Sequence, residues 1–143
     1  ADASLSTENR AILQEQFISL REQITRLVDN ASIGGRNLIA ASAPDLTVVA
    51  STDGTDTITV AAQDLSVGGG IVNIDNSGTP LADAAAATTE IGVIQTAIDS
   101  LSAALGRLGA GSQALTLQDR LLTRISDALE VSIGNLVDAD LAK

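Results

Sequence analysis

Cysteine, histidine, methionine, tryptophan and tyrosine are absent from this chain of 143 residues, and Phe17 is its single aromatic residue. Without cysteine there is neither a disulfide nor a thiol nucleophile. Without histidine or tyrosine the usual general bases are missing, and a serine–lysine pair would have to use the terminal Lys143, the only lysine. No catalytic, cofactor-binding or metal-ligating residue is therefore expected, and the chain does not read as an enzyme. One aromatic ring offers little on which to stack a cofactor or a base. Cations are scarce as well: 8 basic against 18 acidic residues leave a net charge of −10. Binding to phosphate or to an anionic lipid surface needs clustered cations, so neither nucleic acid nor membrane is an expected partner. No run approaches the roughly 18 apolar residues that would cross a bilayer, and the N-terminal residues lack the basic start and apolar stretch of a secretory signal.

What the chain does have is 45% apolar residues, enough to exclude wholesale disorder. They are almost all Ala, Leu, Ile and Val, a set that suits closely approaching helices. Ile94, Leu101, Leu108, Leu115, Leu122, Leu129 and Leu136 recur at a strict interval of seven, in a segment with no proline after Pro80. A helix over residues 84–142 would span roughly 85 Å, whereas a globule of this length has a radius of gyration of about 14 to 15 Å. The spacing predicts a rod. Its second heptad position starts apolar with Ile91, Ile98 and Leu105 but continues with Ser112, Asp119 and Ser126, so the stripe drifts toward Ile125. Gly106, Gly109 and Gly111 predict close packing or a bend near Gly109.

Residues 6–30 show the same helical period, with Leu13, Phe17, Leu20, Ile24 and Leu27 on one face. Ser6 reads as the N-cap, and Asn30 with Gly34 and Gly35 as the stop. From 45 to 77 the composition shifts to Thr, Val, Asp and Gly. Residues 46–50, 58–61, 65–67 and 71–74 read as short strands, punctuated by Asp53-Gly54 and Gly68-Gly69-Gly70. Helix resumes after Pro80 with Ala84 to Ala87, and Thr88 or Thr89 ahead of Glu90 marks a start. The expected fold is one elongated domain, mainly α with a small β insert: helix and turn in 1–38, insert in 39–83, long helix in 84–143. The two helices are expected to pack as an antiparallel rod. A stripe this long cannot be covered by the shorter helix and a small insert, so part of it should need another chain or another segment.

The remaining signals read as structure. The glycine triplet lacks the Gly-Lys-Ser/Thr ending of a phosphate loop and is expected to be a turn. Asp53 and Asp56 are too few for a calcium loop. Asp138 and Asp140, two residues apart, do not share a helix face.

Two runs resemble bacterial flagellin. Leu20-Arg21-Glu22-Gln23-Ile24-Thr25-Arg26-Leu27, followed by Asn30, Ala31 and Ile33-Gly34-Gly35-Arg36-Asn37-Leu38, looks like the family's helix running into its asparagine-glycine-leucine turn. Ile33-Gly34-Gly35 stands where the family more often has Phe-Asn-Gly. Ile133-Gly134-Asn135-Leu136-Val137-Asp138-Ala139-Asp140-Leu141-Ala142-Lys143 is similar to the segment before the terminal helix, above all in the short flagellins of alphaproteobacteria. The resemblance implies the core of a motility-filament subunit without its terminal polymerising helices and without the long helix that precedes this part in the family. It implies other flagellin subunits and an export chaperone as partners, and an extracellular filament reached without a cleaved signal peptide. A hook–filament junction protein is the near alternative, and a helical ligand-binding or sensor module the distant one. In flagellins detected by the animal innate-immune receptor, a glutamate stands where this chain has Gln23, so weak recognition is implied.

Overall fold

The computed structural model describes residues 5–51, 54–74, 77 and 79–141, the last five of these by backbone alone. Four elements follow in order: α1 (Thr7–Asp29), β1 (Leu46–Val49), β2 (Thr57–Val60) and α2 (Ala84–Leu141). The mainly helical class with a small β insert is what the sequence predicts. Asp53 and Lys143 lie outside the described residues.

α1 begins where Ser6 Oγ accepts the Asn9 N–H at 3.2 Å, which satisfies one of the free donors of the first turn. It ends at Asn30, whose backbone N–H and side-chain amide both donate to the Arg26 carbonyl, the latter at 2.7 Å. Beyond it Ile33 and Arg36 exchange backbone hydrogen bonds of 2.9 and 3.1 Å. The turn between them needs positive φ at Gly34 and Gly35, 60° and 78°, which glycine adopts without strain.

α2 starts earlier than Thr88 or Thr89. Asp83 is the cap, its Oδ1 accepting the Ala86 N–H at 2.7 Å. The two threonines are interior residues whose hydroxyls donate to the Ala84 and Ala85 carbonyls. The helix then runs unbroken for 58 residues, about 87 Å. There is no break near Gly109. A glycine weakens a helix by at most about 1 kcal/mol relative to alanine, too little to interrupt so long a run of Ala, Leu, Ile and Gln.

β1 and β2 pair antiparallel with Leu46 opposite Val60 and Val49 opposite Thr57. The other two expected strands do not form a ladder. Val67 and Val72 make a single bridge around a turn in which Gly68 N–H bonds the Val72 carbonyl and Gly69 N–H the Ser66 carbonyl. Leu65, Val72 and Ile74 are buried instead, and the backbone of this stretch is tied to the chain leaving α1: Gln63 N–H to Leu38 O at 2.8 Å and Leu65 N–H to Ile39 O at 3.0 Å. Burial of these three side chains, rather than strand pairing, sets its course.

The helices run in the same direction, not antiparallel. Gln14, near the start of α1, accepts the Leu81 N–H just ahead of α2. At the other end Asn37 donates to Val28 O at 2.6 Å, and Gln63, bonded to Leu38, accepts from Arg107 at 3.2 Å. The start of α1 is thus level with the start of α2, and its end is level with Arg107. The insert causes this by reversing twice. It travels outward until Gln118 donates to Ala50 O at 2.6 Å, then returns so that Arg21 bonds Ser77 O at 3.0 Å on the way back to Asp83.

The core holds Val28, Leu65, Val72, Ile74 and Ala104, with Phe17, Ile24, Ile39, Ile71, Ile94 and Leu101 packed against it. No Cα of α1 comes within 8 Å of a Cα of α2. Helices in direct contact have axes 8 to 10 Å apart. Here the returning segment is wedged beneath them, and the two stand apart above it.

Candidate functional site

The surface left by this arrangement is apolar along much of its length. On α1, Phe17 and Ile24 face the core, but Leu13, Leu20 and Leu27 are 43%, 60% and 72% exposed. The deeply buried residue of α1 is Val28, four residues beyond Ile24 and absent from the expected face. On α2, Ile94, Leu101, Leu108 and Leu115 are half-buried, whereas Leu122, Leu129 and Leu136 are 42%, 57% and 73% exposed. Ala104, fully buried, was missed because alanine carries little hydrophobic signal of its own.

Between the helices lies a groove of about 470 Å³, lined chiefly by Leu13, Phe17, Leu20, Leu81, Ile91 and Ile94. Arg10 and Glu90 also line it, and Glu90 is 5% exposed. Further along, Ile98 and Leu105 remain 54% and 56% exposed. Beyond the β hairpin α2 is exposed among the described residues, and Leu117, Leu121 and Ile125 add to its open apolar surface.

Among the described residues no three His, Cys, Asp or Glu side chains converge to hold a metal, and no helix is long and apolar enough to cross a membrane. Asp56 is exposed, and its N–H donates to Ser51 Oγ. The side chains of Asp138 and Asp140 lie outside the described residues. Gln23 is exposed, in a shallow depression with Gln16, Ser19 and Leu20. Its neighbour Glu22 is held by Arg26 at 3.6 Å one helical turn on, both 60% exposed, a pairing worth a few tenths of a kcal/mol.

The described residues form a parallel helical rod with long open apolar ladders. No family model matches the chain. Over all of its 143 residues, however, it is 38% identical to flagellin FljM and 37% identical to flagellin FljK of Caulobacter vibrioides. It is 32% identical to a flagellin of Brucella melitensis over 146 aligned positions that take in 96% of the chain. The chain belongs to the flagellin family. It spans about half the length of these curated relatives, 51% of the first two and 52% of the third.

Proposed function

We propose that this chain forms the helical shaft of a flagellar filament subunit, a structural rather than catalytic role, in an extracellular filament built from further flagellin subunits. The observation that carries the reading is the open apolar surface of α2 on a chain whose relatives over its whole length are flagellins. Exposed leucines at every second turn of a free helix are unfavourable in water and gain free energy when covered. A chaperone that shields such faces before export fits the same surface.

Immunogold labelling of the source bacterium with antibody raised against the chain tests this. Labelling along the length of extracellular filaments is expected. Labelling confined to the hook–filament junction would select the junction alternative, and labelling only inside the cell would overturn the reading.

Gln23 belongs to the same proposal. Losing a charge-assisted hydrogen bond weakens binding by roughly 10- to 150-fold, and Glu22 lies about 100° further round the helix, engaged with Arg26. The full-length parent should activate the innate-immune receptor weakly, and its Gln23→Glu variant should activate it more strongly. Equal and strong activation by both would sink this part.

A further inference from the structure

The covered face of α2 is not its leucine stripe. Glu90, Ala97, Ala104, Gly111 and Gln118 recur seven residues apart on one side of the helix. The first three are buried and the last two half-buried. The insert lies along this seam, and its two parts are held there in different ways. Near Ala104 the hold is apolar, because Leu65, Val72 and Ile74 enter the core together with Val28 of α1. Near Gly111 and Gln118 it is thin. None of the described residues from 45 to 62 belongs to that core, and of the two strands only β2 brings a Cα within 8 Å of a helix, which is α2. The anchors are Val60, buried over Gly111, and the 2.6 Å hydrogen bond that Gln118 donates to Ala50 O.

Within itself the hairpin is closed at both ends. At its base Asp45 Oδ1 accepts the Ala62 N–H at 2.8 Å. Past Val49, Ala50 N–H bonds Asp56 O at 2.7 Å, and Ser51 Oγ accepts the Asp56 N–H at 3.0 Å. Just outside the base stands Gln63, a buried residue whose polar groups are tied on three sides. Its backbone N–H bonds Leu38 O, its side-chain oxygen accepts from Arg107, and its side-chain amide donates to Ala62 O at 2.8 Å. A segment with its own hydrogen bonds, few apolar anchors and a fixed residue at its foot opens more readily than the structure around it.

We infer that residues 45–62 form a flap, hinged at Gln63 and held shut on α2 by Val60 and Gln118, that opens while the core stays closed. Two strands alone are marginal in water, so the open flap loses its ladder as well. Opening strips Val60 of its cover and bares Gly111 and Gln118 on α2, whereas Val28 and Leu65 stay packed. Gln63 keeps its bonds to Leu38 and Arg107 throughout, which confines the movement to one side of it. The inference stands apart from the filament reading, because every contact it uses lies within one copy of the chain.

Hydrogen exchange of single backbone amides, followed by NMR on the chain and on its Gln118→Ala variant, is the test. The Ala50 and Ala62 amides, both bonded inside the flap, are expected to share one opening equilibrium. That opening should be more frequent than the one that frees the Leu65 amide, which bonds Ile39 O in the core. Removing the Gln118 amide should speed exchange at Ala50 and Ala62 together by roughly 2- to 12-fold, the worth of one hydrogen bond. Leu65 should exchange as before. Val60→Ala should act on the same two amides by a larger factor, again sparing Leu65. A wild type in which all three amides exchange through a single opening would overturn the inference. So would a Gln118→Ala variant that speeds Leu65 as much as Ala50 and Ala62, or one that leaves those two unchanged.

Discussion

Truncating Leu65 to alanine should lower the stability of the monomer by about 2 to 5 kcal/mol, the range for deleting a buried leucine side chain with partial collapse of the cavity. Leu65 is 6% exposed and sits in the core with Val28, Val72, Ile74 and Ala104. Those few residues fasten the insert to both helices, and no Cα of α1 comes within 8 Å of one of α2. A loss at this point should loosen α1 as well as the loop. The control is Leu20→Ala: Leu20 is 60% exposed, and surface substitutions usually stay within about 0.5 kcal/mol. Denaturant unfolding of both variants in dilute solution checks this. A Leu65→Ala midpoint no lower than that of Leu20→Ala would show that the core lies elsewhere.

Gly111 is the second position with a large expected effect. A Cβ placed there would come within 2.6 Å of Val60 Cγ1 and 2.9 Å of Val60 Cγ2, and Val60 is itself 6% exposed at the end of β2. The hairpin can lie on α2 only because this residue has no side chain. Gly111→Leu should therefore cost about 1 to 3 kcal/mol as overpacking, even though leucine is the better helix former. Gly109 has nothing within 4 Å of the same notional atom. Gly109→Ala should stabilise the chain by up to about 1 kcal/mol through helix propensity alone. Opposite shifts in the unfolding midpoint are the expected result. A stabilising Gly111→Leu would mean that the hairpin is not seated there.

The β hairpin also shows why some of the fold could be read early. Richness in Thr, Val and Ile between turn signals made strands of 46–50 and 58–61, and the pairing of Leu46 with Val60 differs from those limits only at the ends. Residues 65–67 and 71–74 carry the same local signal. They became core because Leu65, Val72 and Ile74 found the gap between two splayed helices, and a gap is not a property of any local window. The start of α2 was misplaced for a smaller reason: Thr88 and Thr89 can cap a helix, but Asp83 reaches the free Ala86 N–H first.

By itself the sequence determined that there are two helices of very unequal length and that their apolar stripe is longer than the shorter helix and the small insert. Those properties follow from composition and from period, which are local and survive any tertiary arrangement. Only the tertiary structure decided which apolar residues are core and which are surface. Leu27 and Val28 are adjacent, yet one is 72% exposed and the other 5%. The difference comes from the direction of α1. Two reversals in the insert set it parallel to α2, and the returning segment approaches α1 on the face of Phe17, Ile24 and Val28, leaving the leucines of the heptad open.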